Sequence, residues 1–136
     1  MQVVIVTPGG EKFAGEAASV RAPGRAGELG LLPGHRDMIA ALRVGICEIT
    51  PPNHGEPVAI LVDEGYVQVS GGERVIVVTE KAELKNDVDV EAARADFEQA
   101  RGDLRGATDA THSETWQVRK HALDLAETRL RVAGAL

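Results

Sequence analysis

The feature that most constrains this chain is where its glycines and prolines fall. Of 15 glycines, 12 precede residue 88, and so do all six prolines; beyond that point Ala, Glu, Arg and Leu dominate. Gly and Pro punctuate strands with turns, whereas Ala, Leu, Glu and Arg favour helix. The 136 residues therefore read as two parts, a β domain over 1–87 and a helical domain over 88–136.

The first part offers short β-branched runs at Gln2 to Thr7, Ala17 to Ala22, Val44 to Thr50, Val58 to Val62, Tyr66 to Ser70 and Val75 to Thr79, separated by turn signals such as Pro8-Gly9-Gly10, Pro33-Gly34 and Gly71-Gly72. No helix-length crossover separates them, so the pattern predicts an antiparallel sandwich or barrel rather than a parallel sheet. Val3 to Val6 and Val75 to Val78 are apolar at consecutive positions, which predicts cover on both faces from the second sheet and from helices or a partner. The second part reads as a two-helix antiparallel hairpin. Asp87 or Asp89 supplies an N-cap oxygen, and Val90, Ala93, Phe97, Ala100 and Leu104 draw one apolar stripe. A polar turn follows over Arg105 to Ala110, and Thr111-His112-Ser113-Glu114 has the form of a capping box opening a second helix. Trp116, Leu123, Ala126, Leu130 and Ala133 then line its seam, widened by Val118, Ala122 and Leu125. The fold class is thus α+β: an N-terminal antiparallel β-sandwich, then a C-terminal helical hairpin. Alanine seams bury little area, so the hairpin is expected to dock weakly and to swing.

The net charge of −6 argues against nucleic acid, which needs a surplus of Lys and Arg on some face. The sequence shows neither an apolar run long enough to cross a bilayer nor a charged-then-apolar leader, so membrane contact is expected to go through a partner protein and not by insertion. The single Cys47 excludes an internal disulfide and, within Val44 to Ile49, reads as core filler. Aromatics are 3%, too few for a stacking platform.

No catalytic constellation is present. There is no phosphate-cradling GxxxxGK[ST] loop and no GxGxxG after a strand. His35, His54, His112 and His121 lack the spacing of a helical zinc site. Asp63-Glu64 precedes Gly65 and reads as a turn rather than an acid/base pair. Catalytic and metal-binding residues are therefore expected to be absent. Two other classes remain open on the residues alone: a stand-alone sandwich binding a peptide or small ligand, and a small hydrolase using His35 with Asp63 or Glu64.

The segment Gly27-Glu28-Leu29-Gly30-Leu31-Leu32-Pro33-Gly34-His35 closely resembles the G-E-x-G-x-x-P-G-H signature of the epsilon subunits of rotary ATP synthases. Val6-Thr7-Pro8 with Phe13 to Glu16, Leu42 to Gly45, Asp63 to Val69, and Val78 to Ala82 followed by Asp87 to Asp89 resemble the family's other landmarks, so the likeness covers essentially the whole chain. It implies a non-catalytic central-stalk subunit of a proton-translocating ATP synthase, peripheral on the cytoplasmic face of a bacterial plasma membrane. The sandwich would hold the gamma subunit and the ring of c subunits. The helices would fold down or extend to the alpha and beta subunits of the catalytic head, restraining ATP hydrolysis.

Residue by residue, the likeness places Glu28, with Gly27 and Leu29, at the c-ring contact on a Gly-bounded loop, and His35, with Pro33 and Gly34, at the gamma contact. Arg36-Asp37 departs from the family's small residue and proline after the histidine. Some members bind ATP on the helices through an I/L-D-x-x-R-A motif. Here Ala92 stands at the motif arginine, so no cofactor is expected, and ATP only as a weak regulatory ligand of Asp89, Arg94, Arg101 and Arg129. Ordinary surface pairing of Glu91 with Arg94, Arg94 with Glu98 and Glu127 with Arg131 is the alternative for the arginines.

Overall fold

The computed structural model describes residues 1–106 and 113–136. They divide into two compact units, Met1–Glu83 and Leu84–Leu136. The strands are β1 (Gln2–Thr7), β2 (Gly10–Glu16), β3 (Ser19–Gly24), β4 (Gly27–Leu31), β5 (Met38–Leu42), β6 (Gly45–Thr50), β7 (Val58–Val62), β8 (Gly65–Ser70), β9 (Arg74–Thr79) and β10 (Ala82–Leu84). Hydrogen bonding runs β10-β7-β6-β3-β5-β8-β9-β1-β2, with β4 on the other side of β3. β3 joins the two halves: it pairs with β6 through Ser19, Val20 and Arg21, then with β5 at Gly24 and Leu42 alone. A strand that changes sheets in this way turns the corner of a sandwich.

Alternation within the strands builds the core. Val3 and Ile5 of β1, Val67 and Val69 of β8, and Val75 and Val77 of β9 are buried from one half. Val20, Leu31, Cys47, Ile49, Ile60 and Val62 are buried from the other. Fully burying one Val, Leu or Ile side chain is worth roughly 1.5–3 kcal/mol, so these strands carry most of the unit's stability. The outward residues of the expected doubly covered runs behave differently. Val4, Val6, Ile76 and Val78 are only half-buried. Consecutive burial is found instead in β7, where Ile60, Leu61 and Val62 are all at 0% exposure, and at the end of β3, over Ala22, Pro23 and Gly24.

Four strands went unread in the sequence: β2, β4, β5 and β10. β2 is an outer strand with few β-branched residues, β5 is alanine-rich and β10 spans only three residues. β1 also pairs parallel to β9, from Gln2 with Arg74 to Val6 with Val78, while the other strand pairs with a resolved register are antiparallel. A parallel neighbour reached through seven intervening strands needs no helical crossover.

In the second unit a 3-10 turn (Lys85–Asp87) leads into α1 (Val90–Arg105), and α2 spans Glu114–Val132. Asp89 caps α1 by accepting the Ala92 N–H at 3.1 Å, while Asp87 accepts from Leu84 N at 3.0 Å. The cap of α2 is Ser113, which accepts the Trp116 N–H at 3.1 Å, so Ser113 takes the part expected of Thr111. Residues 107–112, with most of the expected polar turn and the Thr111-His112 half of the capping box, lie outside the described residues. Asp96 meets Arg129 while Asp103 and Ala122 line the same groove, so the two helices run antiparallel. Ala93, Ala100, Ala126, Thr128, Leu130 and Val132 are buried, whereas Val118, expected on the seam, is 65% exposed.

Candidate interaction sites

Gly27 to Leu31 form β4 rather than the expected Gly-bounded loop. β3 supplies the template, pairing Val20 with Leu31 through to Gly24 with Gly27. Glycines hide a strand from sequence reading because they contribute no β propensity of their own. Glu28 is an exposed residue of this strand, opposite Pro23. The β3–β4 tip is tethered to β5 and its following turn by Arg25 N to Ala41 O at 2.8 Å and Arg43 N to Pro23 O at 3.0 Å. Beside it lies a hollow of about 440 Å³, lined by Leu29, Ala40 and Ala41 together with the charged Arg25 and Glu28. A carboxylate on an anchored strand next to an apolar hollow suits a partner loop that brings a cation and a small apolar side chain together.

His35 lies past the other end of β4, so the signature runs along the strand and its two candidate contacts sit at opposite ends. Its N–H donates to Leu32 O at 3.0 Å, and its ring Nδ1 lies 2.7 Å from the carbonyl oxygen of Arg36. A carbonyl only accepts, so Nδ1 is the donor in this contact. Gly34 N donates to Gly72 O at 2.7 Å, and Asp37 Oδ1 accepts from Gly71 N at 2.8 Å. The Asp37 link joins residues 34 apart in sequence, a proximity no local pattern announces. His35 sits by the β8–β9 turn and Asp63-Glu64 precedes β8 at its far end. A six-residue strand separates them by roughly 20 Å, so the hydrolase constellation is not assembled.

Asp63 and Glu64 belong to a pinned turn. Asp63 N donates to Thr79 Oγ1 at 2.8 Å, and that hydroxyl donates to Asp63 O at 2.9 Å. Gly65 follows at φ +117°, where a Cβ would run into the Val78 carbonyl oxygen. Cys47 is fully buried; burial first, then the charges of Glu28 and Glu48, push its thiol up to about 12. It is therefore neutral and inert at ordinary pH.

On the outer face of β1, β9, β8 and β5 the register aligns Val4, Ile76, Gln68 and Ile39 in one row and Val6, Val78, Tyr66 and Ala41 in the next. Ile39 is 68% exposed and Tyr66 42%. Apart from Gln68 these rows are apolar, and a sheet face of this kind suits docking.

On the hairpin, the four residues considered for nucleotide are each engaged locally. Asp89 is the α1 cap, Arg94 reaches Glu91 at 3.9 Å, and Arg101 reaches Glu98 at 2.8 Å while lying over the Phe97 ring. Glu98 thus pairs with Arg101 rather than with the expected Arg94, whereas Glu127 with Arg131 is found at 2.7 Å. Arg129 reaches Asp96 at 3.7 Å and lines a groove of about 250 Å³ beside Gln99, Asp103 and Leu125. At 3.6 residues per turn, Arg94 and Arg101 leave α1 on the flank opposite Asp96 and Asp103. Arg129 and the two α1 arginines therefore do not converge on one phosphate.

Residues 1–85 match the model of the ATP synthase delta/epsilon chain β-sandwich domain. The ATP synthase epsilon chain 2 of Syntrophotalea carbinolica is 32% identical over 134 residues, covering 98% of this chain and 94% of its own length. The epsilon chain of Gloeobacter violaceus is 35% identical over 136 residues, covering 100% and 98%. This chain belongs to the ATP synthase epsilon family. Solved structures share the fold: a chain of the Euglena gracilis mitochondrial ATP synthase F1/c-ring assembly has a TM-score of 0.77 at 20% identity, covering 96% of this chain and 79% of its own. A chain of the Tetrahymena thermophila mitochondrial central stalk and c-ring has a TM-score of 0.60 at 16% identity, covering 98% and 96%. An epsilon chain is a structural and regulatory subunit rather than a catalytic one. Among the described residues no helix is long and apolar enough to cross a membrane.

Proposed function

We propose that this epsilon-family chain couples the c-ring to the catalytic head of a bacterial ATP synthase through its sandwich, and restrains ATP hydrolysis through its hairpin. The observation that carries the reading is that epsilon chains match along 98–100% of the chain, so both units are accounted for. Within it, Glu28 on β4, flanked by Gly27 and Leu29, meets the polar loops of the c-ring, and the hollow beside it accepts an apolar side chain of the same loop. His35, with Pro33 and Gly34, meets gamma, and the half-exposed apolar rows around Tyr66 and Ile39 extend the grip on the stalk. The hairpin reaches the alpha and beta subunits when released. The protein is thereby held at the cytoplasmic face of the plasma membrane by its partners.

Adding the protein to an epsilon-depleted synthase should lower ATP hydrolysis. A form truncated after Asp87 should bind equally and inhibit much less; equal inhibition by both forms would remove the hairpin from the mechanism. Because Asp89, Arg94, Arg101 and Arg129 are held apart, millimolar ATP should leave proteolysis of residues 89–136 unchanged. Strong protection would mean that the ligand itself draws these side chains together.

A further inference from the structure

We propose that Asp37 is the positioning residue of the signature loop: by accepting the Gly71 N–H it clamps residues 32–37 to the β8–β9 turn, so that Leu32, Pro33 and His35 meet the stalk partner as one rigid surface. The proposal rests on the docking role given above to this loop.

Residues 32–37 form no strand or helix of their own, and Leu32 is 61% exposed. A large apolar side chain on a free loop loses conformational entropy when it docks, which cancels part of what its burial gains. Here the loop is held in advance. In the β8–β9 connection Gly71 and Gly72 both have positive φ, +62° and +69°, the requirement of the tight hairpin turn that matches strand twist. The turn closes by Glu73 N to Ser70 O at 3.3 Å, which leaves the Gly71 amide and the Gly72 carbonyl for groups outside the hairpin. The signature loop supplies both: Asp37 Oδ1 at 2.8 Å for the amide and Gly34 N at 2.7 Å for the carbonyl. The backbones touch, since a Cβ on Gly72 would stand 2.9 Å from Gly34 Cα. Between the two links the His35 ring is fixed on the Arg36 carbonyl at 2.7 Å. Gly34, His35 and Asp37 are thus each anchored, and only Asp37 does so with a replaceable side-chain acceptor. This single contact, through the Oδ1 acceptor, restrains a loop that has no proline at its end.

The test compares the full-length protein with Asp37→Ala and Asp37→Asn, measuring binding to an epsilon-free assembly of alpha, beta and gamma and solvent exchange of the Gly71 amide by NMR. Asp37→Ala should speed that exchange roughly tenfold and weaken binding roughly fivefold to tenfold. Asp37→Asn keeps the Oδ1 acceptor and should restore both to within about twofold. Equal loss in both variants would show a direct charge contact with the partner and overturn the positioning role. So would unchanged binding of Asp37→Ala despite fast exchange, or exchange that the Ala variant leaves unaltered. Failure of the unaltered protein to bind the assembly would instead remove the docking reading itself.

Discussion

The sandwich and the hairpin hide apolar surface in opposite ways. In the sandwich, Val3, Ile5, Ile60, Val67 and Val75 sit at 0% exposure, held by strand pairs that bring distant segments together. In the hairpin the buried α1 residues are Ala93 and Ala100, with Ala126, Thr128, Leu130 and Val132 on α2. A buried methyl contributes about 0.8 kcal/mol, against roughly 1.5–3 for a larger aliphatic side chain. The helices are stiffened instead by caps and surface pairs: Asp89, Ser113, and the ion pairs Arg101 with Glu98, Lys120 with Asp124 and Arg131 with Glu127. Such pairs act within one helix and survive its movement as a body. The contrast teaches that the energy keeping α1 and α2 helical is local to each helix, whereas the sandwich is held by contacts between segments distant in sequence.

That contrast can be broken most sharply at Gly65. Gly65→Ala forces a Cβ into the Val78 carbonyl at positive φ, and urea denaturation should show a loss of more than about 4 kcal/mol, or no folded protein. Ile60→Ala in the sandwich core should cost about 2–5 kcal/mol; a cost below 1 would mean the sandwich is no better packed than the hairpin. Cys47 probes the same core chemically. Its thiol is raised to about 12 from an ordinary 9.0, so the protein favours the protonated form more than the unfolded chain does. Stability is therefore intact below pH 9 and falls as pH climbs from 9 towards 12, and thiol reagents at pH 8 should label it only on unfolding. Ser113→Ala removes the α2 cap and should cost about 1 kcal/mol. The loss should be read in the melt of the sole tryptophan, Trp116, while the sandwich transition stays put; a shared shift would show the units unfold as one. Least of all, Asp96→Asn should change hairpin stability by under about 1 kcal/mol, since Arg129 and Asp96 are 23% and 62% exposed.

The sequence already divided the chain into strands and helices, because glycine, proline and alanine carry that information locally. Six of the strands were legible from β-branched runs. β2 and β4 were not: Gly10 to Glu16 and Gly27 to Leu31 become strands because β1 and β3 offer them hydrogen bonds, and only the fold supplies those partners. Glu28 and His35 could be singled out from the signature, but its geometry could not. The strand placing them at opposite ends, and Asp37 reaching Gly71, depend on residues distant in sequence. On the hairpin the stripe of Ala93 and Ala100 was readable. The pairing of Glu98 with Arg101 rather than Arg94 was not, since both partners lie within reach on a helix and rotamers decide.

The parallel seam between β1 and β9 sets a timetable for synthesis. β1 leaves the ribosome first and can zip to β2 at once, yet its other edge waits for Arg74 to Val78. Val3 and Ile5 therefore stay bare until nearly the whole first unit has emerged, and contacts so distant in sequence close slowly. The helices follow only after that closure becomes possible, so the hairpin is always made on a nascent chain whose sandwich is ready to assemble.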